Sequence, residues 1–502
     1  MPEGLLDNVA LGLSIAFSLN NILYCALGVT LGTLVGVLPG IGSLATISML
    51  YPLTFHMDPI SAVVMVAGIY YGGQYGGSTA SILLNLPGAA SSAVTCLDGF
   101  PMANQGRAGV ALFVSAAASF VAASIGILIM MLFSPLIVEL ALEFGPAEYF
   151  SLMVMGMVAA SVISDGSAIK ALAMVAVGIL CGLVGLDVYT GAPRMTFNAL
   201  ELYNGISLGV VAMGIFGLAE VISSVGRVRS IGVKQKISMK SIAPTRDDLR
   251  RSWPAVLRGT GIGAFFGLLP GAGATVASFM AYAVEKRVAK DPSRFGKGAI
   301  EGVASPEAAN NACDQTAFIP TMTLGIPGSA TMALIIGVLM IHGITPGPTI
   351  MIDRPDLFWG LVMSFWLGNI LLVILNLPMI GMWVKVLMVP YHVLFPTILM
   401  FVCIGVFSIN NNAFDIYVVI AFGAAGYVMR LLHMPATPFL LGFVLGPMME
   451  ENFRRAMILS HGELEIFVVR PLSTAFLVVA VFLIALSAWG TYRAARIGPA
   501  SA

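Results

Sequence analysis

The sequence predicts an all-α, polytopic membrane protein made of two inverted repeats, with re-entrant hairpins, broken helices and about 11 crossings. Three observations predict it. First, 58% of the 502 residues are hydrophobic and only 10% are charged, far too apolar for an ordinary soluble globule. Second, a Leu-Pro-Gly break recurs in two ordered pairs. Leu38-Pro39-Gly40-Ile41-Gly42 is answered by Leu269-Pro270-Gly271-Ala272-Gly273, and Leu86-Pro87-Gly88 by Ile326-Pro327-Gly328. Pro39 and Pro270 lie 231 residues apart, Pro87 and Pro327 240, so one unit is used twice. Third, positive charge is lopsided: no Lys or Arg precedes Arg107, whereas 226–258 carries nine against only Asp247 and Asp248.

That charge map gives each element a direction. By the positive-inside rule the N-terminus faces away from the cytoplasm and the linker 226–258 faces it. The N-terminus has no basic region of a cleaved signal peptide. The first half therefore crosses an odd number of times and the second starts from the opposite side. The organisation expected is a first repeat over 1–225, a basic linker over 226–258, a second repeat over 259–470, and a final helix and tail over 471–502.

Within each repeat a hairpin comes first. The stretch 259–284 is apolar but flanked by cations on both sides, from Arg258 back and from Lys286 onward. Each arm around Pro270-Gly271 is about a dozen residues, roughly 16 to 18 Å of helix or half a bilayer. A re-entrant hairpin fits, and its counterpart around Pro39-Gly40 enters from outside. The stretches 4–22 and 237–257 precede the hairpins as interfacial arms. Five crossings follow in each half: 60–97, 108–134, 148–164, 169–187 and 204–225, then 305–341, 357–378, 392–409, 415–432 and 436–449. The breaks at 86–88 and 326–328 interrupt the first crossing of each half. A last helix, 471–492, returns the C-terminus to the cytoplasm.

Pro removes a backbone donor and Gly loosens the helix, so each break frees polar groups where no water can satisfy them. Paired breaks in matching halves are the best sequence pointer to a transporter's binding site. The candidate substrate contacts are Pro39, Gly40, Ser43, Gly72, Gly73, Ser78, Thr79, Pro87, Gly88 and Ser91, then Pro270, Gly271, Thr275, Pro327, Gly328 and Ser329. The candidate cation ligands are Asn85, Asn310, Asn311, Asp314, Thr321 and Thr323. Helix N-termini after the breaks offer N–H groups to an anion, while carbonyls and hydroxyls suit a small hard cation. No Arg or Lys lies deep in a predicted crossing, which favours co-bound cations beside an anionic substrate. Asp314 is the embedded acid nearest a break, a functional candidate by that placement.

Structural readings stand beside these. Gly72 to Thr79 equally suits close helix approach, the Pro-Gly breaks simple kinks, and Asn310, Asn311 and Asp314 a ligand-free hydrogen-bond network. Asp98 and His342 read as solvated loop neighbours, and Glu301 and Glu307 as helix-start residues. The five cysteines show no metal or disulfide spacing, and the 29 Met read as helix filler. No G-x-S-x-G or H-E-x-x-H is present, against an intramembrane protease. Zero net charge gives no argument for nucleic acid.

The stretches Gly32 to Gly40, Ile69 to Ser78, Leu97 to Met102, Gly298 to Ala304, Pro306 to Ala312, Leu324 to Gly328, and His342-Gly343 ahead of Pro346-Gly347-Pro348 together resemble the large membrane subunit of the tripartite tricarboxylate transporters, the TctA family. The resemblance covers essentially the whole chain. It implies a non-enzymatic secondary transporter of the bacterial inner membrane, working with a small four-helix membrane subunit and a periplasmic binding protein. It implies import of citrate or a related carboxylate by Na⁺ or H⁺ symport, with no cofactor. Alternating access is expected in an elevator-like form, the broken elements moving against a more regular scaffold. A carboxylate channel or a stand-alone carrier is the alternative.

Overall fold

The computed structural model describes residues 4–38, 42–164, 167–224, 242–269, 271, 273–379, 381–383, 399–400, 402–403, 406–407 and 412–497. Among these the fold is almost wholly helical, with one two-residue β-ladder. Six helices are long and apolar enough to cross a membrane. The protein is a multi-pass, all-α membrane protein.

The first half opens with α1 (Leu5–Ala16), α2 (Leu19–Val37), α3 (Gly42–Thr54) and α4 (Pro59–Leu84). Helix α1 packs on α17 (Pro355–Asn376), with Gly12 against the Trp359 carbonyl, rather than lying free as an interfacial arm. Asp58 caps α4 by accepting from Ile60 and Ser61, and Pro59 sits at its first turn, where its missing donor costs nothing. Every residue of α4 from Ser61 to Leu83 is buried, so protein surrounds this helix on all sides.

A glycine ladder seats α2 on α4. Gly28, Gly32 and Gly36 lie against the backbone of Met65, Ile69 and Gly73, and Gly68, Gly72 and Gly76 return the contact against α2. The numbers rise together, so the two helices run parallel. Small residues let backbones touch, the usual glue between helices in a bilayer. The second half repeats the device. In α11 (Arg246–Gly267), Gly259, Gly263 and Gly267 lie against Ser305, Ala309 and Cys313 of α13 (Glu301–Thr316).

Several expected boundaries move. Helix α4 is unbroken over 26 residues, about 39 Å. The break at Asn85–Gly88 ends it and turns the chain back, with Gly88 against Gly36 and Gly77, instead of interrupting a crossing over 60–97. A short 3₁₀ turn at Ala90–Ser92 and α5 (Cys96–Met102) lead through a kink at Gly106 into α6 (Ala108–Ala141). Helix α11 begins at Arg246, so the boundary expected at 258 falls inside a helix and the arm over 237–257 is partly the hairpin itself. The arms are correspondingly longer than a dozen residues, 22 in α11 and 16 in α12 (Gly273–Val288).

Helices α7 (Pro146–Ile163) and α8 (Ala168–Gly182) agree with 148–164 and the start of 169–187. Helix α8 stops early, because Gly185, at φ +128, starts a hairpin of β1 (Gly185–Leu186) and β2 (Pro193–Arg194). The crossing over 204–225 is α9 (Leu208–Ala212) and α10 (Ala219–Ser224) joined by a π-helical stretch. In the second half α14 (Phe318–Thr323), α15 (Ala330–Ile341), the short α16 (Ile350–Asp353) and α17 follow α13. Two thirds of the expected crossing 392–409 falls outside the described residues. Helix α18 is Phe414–Leu431, and α19 (Ala436–Leu459) runs ten residues past the expected 449. Gly442 and Gly446 of α19 meet Val175 and Ile179 of α8, while Gly178 and Gly182 meet Phe439 and Phe443. After α20 (Ile466–Val469), the exposed α21 (Pro471–Ile497) closes the chain.

Candidate functional site

Helices α4 and α13 face one another through a buried polar stripe. Tyr70 donates to Asp314, Tyr71 donates to Gln315 Oε1 at 3.3 Å, Asn310 donates to Gln74 Oε1 at 3.4 Å, and Ser78 donates to Glu307 Oε2 at 2.6 Å. As the number rises along α4 it falls along α13, so the pair is antiparallel. The residues on α4 recur at i, i+4 and i+8, one helical face.

Other elements complete the stripe. Ser91, in the turn after the first break, donates to Gln74 Oε1 at 2.7 Å, and Thr95 donates to Glu307 Oε1. Asn311 donates to Ser119 of α6 at 2.7 Å and to the Glu307 carbonyl at 3.0 Å. Tyr75 donates to Asn369 of α17 at 3.1 Å, and Asn369 donates to the Phe120 carbonyl and Ser124 of α6.

Among the described residues, every buried acid outside this stripe except Asp98 pairs with an arginine. Glu148 pairs with Arg470, Asp187 with Arg194 and Arg454, Asp248 with Arg107, and Glu285 with Arg258. Glu307 and Asp314, each 1% exposed, meet only neutral donors among the described residues. Asp314 Oδ2 and Asn310 Oδ1 are buried without a hydrogen-bond partner. They are one helical turn apart on α13, two acceptor oxygens with nothing to accept. Such atoms are costly to leave bare, and a cation, a proton or a water would satisfy them.

Both hairpin tips lie beside breaks. Pro39, Gly40 and Pro270 fall outside the described residues. At the flanks of the first tip, Ser43 is buried against Gly73 and Gly88 packs on Gly36. At the second, Gly271, in the left-handed region at φ +78, donates to the Gly328 carbonyl at 3.0 Å. Helix α12 also packs on the Ala90–Ser92 turn of the first half, and α3 packs on α15 of the second.

The remaining candidates separate. Asn85 is exposed, at φ +57 as the left-handed cap of α4, away from Asn310 and Asp314. The structure gives it a terminating role at the end of α4 and does not bring it to the other candidate cation ligands. Pro87 is exposed, while Gly88 and Ser91 are buried. Gly72 serves the α2 contact. Thr79 Oγ1 bonds back to the Tyr75 carbonyl, Thr321 to Ala317 and Thr323 to Ile319, so these hydroxyls satisfy their own helices. Thr275 and Pro327 sit on the tip and break, half-buried and buried respectively. Ser329 accepts from Met332 N and caps α15, which begins directly after the break at 326–328.

Sequence reasoning missed Glu307, Gln74, Tyr70 and Asn369, whose side-chain hydrogen bonds in the stripe all span more than two hundred residues except that of Ser91 to Gln74. It also misplaced Asp98. That carboxylate is fully buried, accepting from the Gly296, Gly298 and Ala299 N–H groups at 2.9, 2.8 and 2.7 Å and from the Tyr282 hydroxyl at 2.9 Å. His342 is half-buried after α15.

The chain is 48% identical over 494 residues, 98% of each chain, to an Agrobacterium vitis protein described as an uncharacterized 52.8 kDa protein in the TAR-I ttuC′ 3′ region. It is 52% identical over 234 residues to a second uncharacterized A. vitis protein, in the TAR-II ttuC′ 3′ region, covering 47% of this chain and 97% of the other. No solved structure matches. Residues 22–441 match the family described as the Tripartite tricarboxylate transporter TctA family. With that match spanning the glycine ladders, both breaks and the polar stripe, the chain belongs to the TctA family and is a membrane subunit of a tricarboxylate transporter.

Proposed function

We propose that the protein is the large transmembrane subunit of a binding-protein-dependent, cation-coupled importer of tricarboxylates or related carboxylates in the bacterial inner membrane. The observation that carries this reading is the pair of buried acids, Glu307 and Asp314, held by neutral groups on an antiparallel helix pair, with Asp314 Oδ2 and Asn310 Oδ1 unpartnered. A site rich in acceptors and free of Arg and Lys attracts a cation first. The cation then offsets the charge of a carboxylate seated at the hairpin tips near Ser43, Ser91, Gly271 and Gly328. Na⁺ or H⁺ is the coupling ion.

Two spacings support inverted repeats. Gly28, Gly32, Gly36 and Pro39 each recur 231 positions on, as Gly259, Gly263, Gly267 and Pro270. Tyr70 and Gln74 correspond, 240 positions on, to Asn310 and Asp314. The contact of Tyr70 with Asp314 is then carried by the repeat onto the contact of Asn310 with Gln74. That reciprocity is what a two-fold axis passing between Gly72 and Ala312 produces. On this reading the N-terminus is periplasmic, the C-terminus is cytoplasmic, the chain crosses 11 times, and the hairpins with α4 and α13 move as the elevator. A small four-helix membrane subunit and a periplasmic binding protein are its partners.

Uptake into proteoliposomes holding both membrane subunits, with the binding protein and labelled citrate outside, tests the reading. Accumulation above equilibrium, driven by an imposed Na⁺ or pH gradient, is expected. Equilibration without accumulation under either gradient would sink it, because a channel cannot concentrate its substrate.

A further inference from the structure

A cavity of about 340 Å³ lies away from the polar stripe, lined by Gln105, Arg107, Ser293, Arg294, Lys297 and Gly298. That is within the size range of small-molecule sites, which run from roughly 300 to 1,000 Å³. Its two walls come from different halves. Gln105 and Arg107 stand on the kink between α5 and α6, where Gly106 is left-handed at φ +80. The opposite wall is the loop between α12 and α13, where Gly298 is left-handed at φ +101.

The lining of the cavity is cationic: it holds Arg107, Arg294 and Lys297 and no carboxylate. Behind it, Arg107 reaches Asp248 at 2.5 Å through one guanidinium nitrogen, Arg294 meets Glu301 at 3.3 Å, and Asp291 lies within the field of Arg294 and Lys297. Lys297 is exposed and, among the described residues, forms no direct ion pair. The acids thus stand behind the cations and leave their inner edges facing the cavity. The loop is also fixed in place: Gln105 donates to the Lys297 carbonyl at 2.8 Å, and buried Asp98 gathers the N–H groups of Gly296, Gly298 and Ala299. The loop's amides are occupied, so its side chains are what remain for a ligand.

We propose that this cavity binds a small anionic phosphate group, through Lys297, Arg294 and the free edge of Arg107. The group is either free in solution or on an anionic phospholipid at the membrane edge; basic pockets between membrane helices take such headgroups. An anion bridging Arg107 and Lys297 joins the same two segments that Asp98 already joins, and so stabilises their contact.

The test is the thermal unfolding of the full chain in phosphatidylcholine nanodiscs, titrated with inorganic phosphate against chloride at equal ionic strength. A saturable, phosphate-specific rise in Tm is expected, with Lys297→Gln raising the apparent Kd about tenfold and Lys297→Glu abolishing the rise. In nanodiscs containing phosphatidylglycerol, an already raised Tm that phosphate no longer moves identifies the lipid headgroup as occupant. An unchanged phosphate titration identifies the free anion. No shift by phosphate in the first nanodiscs together with none by phosphatidylglycerol overturns the proposal. So does any shift that both Lys297 variants leave unaltered.

Discussion

Tyr70 of α4 and Asp314 of α13 are joined by a hydrogen bond across the antiparallel pair, and the residues 240 positions from each, Asn310 and Gln74, are joined to one another as well. The four groups form a reciprocal set about one point, and Asp314 supplies the one carboxyl among them.

Asp314→Asn keeps the shape of that set and removes the titratable carboxyl. Uptake should lose its dependence on the driving cation, read as the ratio of initial rates with and without the gradient. Tyr70→Phe keeps the carboxyl and removes one donor, a loss of about 1 to 3 kcal/mol for a buried group left without its partner. The cation concentration for half-maximal uptake should then rise roughly tenfold. An unaltered cation response in both variants would remove Asp314 from the coupling site.

Glu307 accepts from Ser78 and Thr95 in a fully buried setting. Glu307→Ala leaves two hydroxyls without their acceptor and opens a cavity, at a cost of about 2 to 4 kcal/mol. Glu307→Gln retains a carbonyl acceptor and should cost less than half of that. Chemical unfolding in detergent measures both, and equal losses would show that the hydroxyl contacts contribute little.

The glycine ladder makes a position-specific prediction within one helix. In α11, Gly263 has the Ala309 backbone against it, whereas Gly261 has nothing within 4 Å. Gly263→Val should abolish folded protein in the membrane. Gly261→Ala should stabilise the helix by about 0.5 to 1 kcal/mol, the ordinary gain of Ala over Gly. Indistinguishable expression and Tm for the two variants would contradict the close parallel seating of α11 on α13.

Acid sensitivity should be centred on the β-hairpin. Arg194 donates two hydrogen bonds to Glu450, at 2.8 and 3.0 Å, and holds its carboxyl below the usual value, with Arg454 adding to the effect. A carboxyl whose folded pKa is depressed contributes stability above its unfolded value, about 4.3, and loses it as pH falls through the folded value. Hydrogen exchange of residues 185–194 should therefore accelerate below about pH 4. Glu450→Gln should exchange faster at neutral pH and show a flatter acid response. A variant whose pH profile matches the parent would exclude this pair as the cause.

The sequence made the helical class legible, and Pro-Gly marked where α4 and α14 end, because Pro and Gly in apolar surroundings have few other uses. The glycine ladder was equally visible, at the same 231-residue spacing as Pro39 and Pro270, though close packing looks identical to a ligand-binding Gly patch until the partner backbone is known. Glu307 and Asp98 were not legible. Each is made important by partners two hundred residues distant in most of its contacts, and a carboxylate near a helix start reads the same whether water or the protein interior surrounds it. The end of α4 at Asn85 was misread for a related reason: a left-handed cap and a mid-helix interruption use the same residues.

The two glycine ladders bring backbone against backbone, so neither pair has a thick side-chain layer that could slide or repack. Each behaves as a single stiff beam two helices wide. The hydrogen bonds of the polar stripe tie the two beams to each other, and the working motion falls where they meet α6 and α17. The groups best placed to bind an ion thereby travel with the beams as cargo and not as hinge.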